Sequence, residues 1–173
     1  MDDKWFRWRT RRKTPASAVE VTAQALYDAL VKDTLSPTLR ALGFKGSGGR
    51  YSMPCSDCWA LLGLQKSAYS DAAEVQFTIN LLVANKSAWG AARQERHQLP
   101  QRPTATTLYG EPASQMRIGE LTPEGADKWW RVHSQAHTAA VGNDVVHDIR
   151  EYALPWLRHQ MQERRCGAEE PTN

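Results

Sequence analysis

Two neighbouring stretches, Trp59 to Ser67 and Glu74 to Ala84, set the tightest limits on the fold. Each is rich in aliphatic residues that alternate with others, and a short small-and-polar segment, Ala68 to Ala73, joins them. Period-two alternation over such lengths specifies strands, and the short join specifies an antiparallel hairpin. Centring the turn between Ser70 and Asp71 pairs Leu64 with Phe77, Leu62 with Ile79 and Ala60 with Leu81, which gives one continuous apolar face. The opposite face places Gln65 beside Gln76, Gly63 beside Thr78 and Leu61 beside Asn80, and is far more polar. A one-sided antiparallel sheet therefore needs helices to cover its apolar face.

Helical patterning supplies them. Val19, Leu26, Leu30, Leu35, Leu39 and Leu42 mark a helical stretch over about residues 18–42, starting near Ser17. Its rhythm breaks at Leu35-Ser36-Pro37, where Ser36 suits an N-cap and Pro37 the first position of a new turn. Gly43 has the character of the residue after a helix end, with Phe44 folding back onto it. Further helices are expected near 87–97 and 138–163, the last kinked by Pro155. Arg50 to Met53 reads as an edge strand after the Gly46-Ser47-Gly48-Gly49 turn, and Gln115 to Leu121 as a fourth strand. Gln98 to Pro112, interrupted by Pro100, Pro103 and Pro112, reads as a long loop. The expectation is an α+β fold: an antiparallel sheet of about four strands packed by N-terminal and C-terminal helices.

The charge is uneven. Of the 22 Lys and Arg in 173 residues, six (Lys4, Arg7, Arg9, Arg11, Arg12 and Lys13) fall in residues 1–13 with only Asp2 and Asp3, so positions 14–173 carry a formal −1. A basic surface across the whole fold is thereby excluded. The chain divides into a basic flexible arm (1–16), a single domain (17–162) and a polar tail (163–173). In the arm, Trp5, Arg7, Trp8, Arg9, Arg11, Arg12 and Lys13 interleave aromatics with cations, a pattern suited to an anionic surface or single-stranded nucleic acid. Thr14-Pro15 separates it from the first apolar stripe, so deleting residues 1–15 is expected to leave thermal stability unchanged. The absence of a long apolar run and of a signal peptide argues for a cytoplasmic protein without membrane insertion. Three cysteines, an odd number in such a chain, argue for reduced thiols and no disulfide framework.

The order of motifs resembles the domain of unknown function 4304 family, a group of small bacterial proteins. The stretches that carry the resemblance are Leu35 to Phe44, Gly63 to Ser67, Phe77 to Leu81, Arg117 to Leu121 with Trp129-Trp130, and Tyr152 to Leu157. Together they span roughly residues 18–160. The resemblance implies an α+β domain with an antiparallel sheet and flanking helices, and it implies no reaction.

Candidate chemistry is sparse. Cys55 and Cys58 have the spacing of half a zinc site or of a redox pair, with His133 and His137 the best second pair of metal ligands, although 74 residues separate His133 from Cys58. The five histidines (His97, His133, His137, His147 and His159) form no recognisable nucleophile–base motif, and His147 and His159 read as partly exposed helix residues. No cofactor fingerprint is present, and no cofactor is expected. The polar strand face, Gln65, Gln76, Thr78 and Asn80 bordered by Lys66 and the tryptophans Trp129 and Trp130, suits recognition of a polar ligand or of a partner's backbone. Against this stands an ordinary solvated face, and Trp59, Trp129, Trp130 and Trp156 equally suit a core. The preferred function is a non-enzymatic protein-binding module, of which an immunity-type protein that occupies another bacterial protein is one form. The alternatives are a hydrolase or metal-dependent enzyme using the Cys and His residues, and an anionic-surface or nucleic-acid binder acting through the arm.

Overall fold

The computed structural model describes residues 21–133 and 135–166. The proposed arm, Ser17 to Glu20 of the expected first helix and the last residues of the tail lie outside that range. The chain forms α1 (Ala23–Ala29), α2 (Ser36–Ala41), β1 (Lys45–Ser47), β2 (Arg50–Met53), β3 (Cys58–Lys66), β4 (Val75–Asn85), α3 (Lys86–Glu95), β5 (Ala113–Arg117), α4 (Ile118–Leu121), β6 (Trp130–Val132), α5 (Gln135–Asp148) and α6 (Leu154–Cys166). The expected α+β class stands, with an antiparallel sheet of six strands in the order β1-β2-β3-β4-β5, and β6 also pairing with β4. No helix among the described residues is long and apolar enough to cross a membrane.

The β3–β4 hairpin forms, shifted by two residues from the expected register: Leu64 pairs with Ile79, Leu62 with Leu81, Ala60 with Val83 and Gln65 with Thr78. The loop sets this. Asp71 Oδ1 accepts from the amides of Ala73 and Glu74 at 2.8 and 2.9 Å, which centres the turn one residue later than expected. A two-residue slip keeps every side chain on its own face, so the division between apolar and polar sides survives.

The apolar face is covered by helices. Ala60, Leu62, Val75, Phe77, Ile79, Leu81 and Val83 are buried against Leu26, Tyr27 and Leu30 from the N-terminal helices and Val145, Ile149 and Leu157 from the C-terminal ones. Phe77 lies between Tyr27, edge-on at 5.2 Å, and Trp130, stacked at 5.6 Å.

Both expected helix interruptions turn into π-helical segments. Leu30–Leu35 joins α1 to α2, and Ile149–Ala153 joins α5 to α6. Each precedes a proline whose i−4 carbonyl, on Asp33 for Pro37 and on Glu151 for Pro155, falls inside the wider turn, so the ring is accommodated without ending the helix. Ser36 is accordingly helical and not an N-cap. Its hydroxyl donates to the Val31 carbonyl at 2.7 Å, so the Tyr51 hydroxyl, 2.6 Å away, must donate to it. α1 has an N-cap of its own in Thr22, extended and accepting from the Ala25 amide, so α1 starts at Ala23 and not near Ser17. Gly43 (φ 94°) ends α2 as expected, with its own amide bonded to the Arg40 carbonyl and the Phe44 amide to the Leu39 carbonyl.

Two short strands add to the expected sheet. Gly48 and Gly49, both at positive φ, make a two-residue turn that pairs β1 with β2, so Arg50–Met53 is flanked on both sides and is not an edge. The expected strand 115–121 ends at Arg117. There the chain leaves the sheet through α4 and re-enters as β6 further along the same edge of β4. A Cβ at Gly119 would collide with the Ala126 carbonyl, so glycine is what lets the returning segment pass so close.

Candidate functional site

The second face of the sheet is where the structure departs from a plain two-layer fold. At one end, Leu61, Leu82, Ala84 and Ala113 are buried beneath Trp89 of α3 and Leu99 and Ala105 of the loop between α3 and β5. That loop is pinned by polar contacts. Trp89 Nε1 donates to the Pro100 carbonyl at 3.0 Å, Arg93 to the Leu99 carbonyl, Arg96 to the Tyr109 and Glu111 carbonyls, and Gln115 to the Thr107 carbonyl at 2.7 Å. It crosses the sheet at Gly63, where an added Cβ would lie 3.0 Å from Thr106 Cγ2 and 3.2 Å from Ala105 Cβ. Gly63 is therefore the slot that seats the loop.

Beyond this crossing the face is polar, and a cleft of about 400 Å³ opens among Gln65, Asn80, Gln115, Arg117 and Glu120. Strand alternation puts Gln65, Asn80, Gln115 and Arg117 on this side, and β4–β5 pairing sets Asn80 opposite Arg117. Asn80 donates to Gln65 Oε1 at 2.8 Å and accepts from Arg117 Nε at 3.3 Å. Arg117 Nη1 pairs with Asp127 at 2.9 Å, and its guanidinium lies 5.4 Å from the Trp129 ring. Trp129 Nε1 also donates to Asp127 at 2.8 Å. Partial burial works against the Asp127 carboxylate, but the bonds from Trp129 and Arg117 outweigh it and hold its pKa below the usual value. The chain Gln65–Asn80–Arg117–Asp127–Trp129 is thus a connected polar network that fixes an arginine and a tryptophan beside an open cleft.

Of the residues expected on this face, the structure gathers Gln65, Asn80 and Trp129. Gln76 is on the same face but bonds to Glu74 at 2.7 Å and lies outside the cleft. Thr78 is completely buried, so it offers nothing to a ligand. Lys66 points to the helix face, because it pairs with Phe77; its ammonium bonds to Gln24 at 3.0 Å and lies near the Tyr27 ring. Trp130 also belongs to the helix side, buried on Phe77 and donating to Asp144 at 2.7 Å. Asp144 and the buried Asp148 both pair with Lys128, at 3.0 and 2.7 Å, which ties α5 to the segment before β6. Desolvation opposes charge on Lys128, yet its hydrogen bonds to Asp148 and Asp144 prevail and raise its pKa. Trp59 and Trp156 are half-buried.

Arg117 and Gln115 are not among the binding residues that the sequence reading names. Their i, i+2 spacing in a segment read as a strand was the available signal, since it places both on one face.

The Cys/His constellation is not assembled. Cys55 and Cys58 form a disulfide, with Cα atoms 5.4 Å apart, contrary to the expectation of free thiols: the turn before β3 brings the pair within ordinary bridging distance. Cys58 is opposite Asn85 at one end of β4, whereas Val132, just before His133, is opposite Val75 at the other. Ten residues of strand separate these points, roughly 33 Å at the rise of extended chain. His133 and His137 stack on each other at 4.5 Å, and no group of metal-ligating side chains occurs among the described residues. His97, His147 and His159 are exposed. The aromatic and basic residues expected to contact anions in the arm lie outside the described residues.

No curated protein and no solved structure matches the chain. The domain of unknown function 4304 matches residues 35–159, from the π-helical segment before α2 to the middle of α6, and so includes the whole sheet and the polar cleft on its second face; the chain belongs to that family.

Proposed function

We propose that this chain is a non-enzymatic protein-binding module whose partner docks at the cleft lined by Gln65, Asn80, Gln115, Arg117 and Glu120, with Trp129 against Arg117 at its side. The observation that carries the reading is the fixed Arg117–Trp129 pair. Arginine and tryptophan dominate the binding energy of protein interfaces, and here both are held in place before any partner arrives, so little ordering entropy remains to be lost. Gln65, whose Oε1 accepts from Asn80, still has its amide nitrogen to donate to a partner's backbone carbonyl. An immunity-type role, occupying another protein inside a bacterial cytoplasm, is the form of this function that we favour.

A photo-cross-linking residue at Gln115, introduced into the full chain in cells of its source, tests the reading. One discrete adduct is expected, reduced at least tenfold by Arg117→Ala and missing when the cross-linker replaces exposed His159. For the immunity-type form, the captured protein is toxic when produced alone and harmless when co-produced with this chain. An adduct indifferent to Arg117→Ala, or none at all, rejects the cleft as the docking site.

A further inference from the structure

The loop crossing at Ala105 and Thr106 has a cavity on its other side as well, about 520 Å³, between the β1–β2 hairpin and residues 102–106. Its charged lining is Lys45, Arg50 and Arg102, with no acidic side chain. None of the three forms an ion pair with a described residue.

Local sequence fixes this placement. The Gly48-Gly49 turn pairs Lys45 with Ser52 and Ser47 with Arg50, so Lys45, Arg50 and Ser52 project from the same side of the sheet. A Cβ at Gly46 would run into the Arg50 carbonyl, which keeps the hairpin tight. From the opposite wall, the Arg102 guanidinium is stacked 4.9 Å from the Trp59 ring. Three cations therefore line one partly enclosed space without a counter-charge, while the rest of the domain (17–162) carries a formal −3. Apolar walls focus such a field and raise the local concentration of anions.

We propose that this cavity binds a small organic phosphomonoester, with its phosphate among Lys45, Arg50 and Arg102 and its organic group along Leu61. A phosphomonoester carries close to two negative charges at neutral pH, and its oxygens match the planar donor fork of arginine, so it answers three cations better than a carboxylate does. The volume is that of a small-molecule site. The site goes beyond the protein-docking cleft and shares with it only Ala105 and Thr106 of the dividing loop.

The test is titration of the isotopically labelled full chain with phenyl phosphate at constant ionic strength, followed through its backbone amide resonances. Saturable shifts are expected at Gly46, Ser52, Gly63 and Thr104. Benzoate and inorganic phosphate each bind at least tenfold more weakly, the first carrying one negative charge in place of nearly two and the second lacking the ring. Arg50→Ala with Arg102→Ala weakens phenyl phosphate binding at least tenfold at unchanged Tm, whereas Arg117→Ala leaves it intact. If the double variant loses stability, Lys45→Glu on the exposed β1 strand gives the same readout. The proposal is overturned by any of four results: no saturable shift at about 10 mM, equal binding of benzoate, binding indifferent to these substitutions, or sedimentation with phosphatidate vesicles while phenyl phosphate is silent.

Discussion

The two faces of the β3–β4 hairpin use the same backbone and meet opposite kinds of cover. On one, helices lay apolar stripes over Phe77, Ile79, Leu81 and Val83, all inaccessible to solvent. On the other, one short helix and a loop rich in proline and threonine cover Leu61, Leu82 and Ala84 and then stop. Helices satisfy their own backbone, so they can cover a sheet with side chains alone. A loop must find partners for its carbonyls, which here come from Trp89, Arg93, Arg96 and Gln115. The loop is therefore held at points, and cavities remain on both sides of it. The larger buried core lies on the helix face, and the two cavities beside the loop lie on the other.

Phe77→Ala should break the comparison most severely. It removes a ring that touches both Tyr27 and Trp130, and large-to-small changes at such sites cost about 3–5 kcal/mol. Chemical denaturation should show the whole domain losing stability as one unit. If only α1 detaches while the sheet persists, the helix face is not the common core argued for here.

Gly63→Val acts from the other side. The larger side chain meets Thr106 and Ala105 and must displace the loop, an overpacking cost of about 1–3 kcal/mol. Hydrogen exchange should quicken at the amides of Leu99 and Thr107, which close turns within the loop, while those in the centre of β4 change little. Equal acceleration across β4 would mean that the loop belongs to the same cooperative unit as the helices.

How much of this was legible in the sequence follows the same divide. The helix face is written in local alternation and helical period, and it survived a register error because the slip was even. The Gly43 helix end was legible too, since its signal lies within two residues. What could not be read depended on distant pairings. Lys66 looked like the border of the polar face until its pairing with Phe77 turned it toward Gln24. Lys45 and Arg50 share one glycine-turned hairpin, but Arg102 lies far along the chain and joins them only because the pinned loop crosses the sheet. β6 is three residues long and exists because Gly119 admits a close return, which no local propensity announces.

The smallest expected effect concerns Thr78, buried on the loop face with a hydroxyl that has no hydrogen-bond partner. On the helix face every inward residue of β4 is apolar, so this hydroxyl marks the less complete optimisation of the other side. A buried polar group without a partner carries a desolvation cost of about 1–3 kcal/mol. Valine has the same branched shape, keeps the preference for extended backbone and removes the hydroxyl. Thr78→Val should therefore stabilise the protein by about 1 kcal/mol, seen as a higher urea midpoint with an unchanged m value. A gain of that size from a single methyl-for-hydroxyl exchange, with no gain from Ile79→Val beside it, would locate the slack in stability on the loop-covered face. A lower midpoint would mean that the hydroxyl is bonded in solution, and that the network through Gln65 and Asn80 extends one residue further into the sheet.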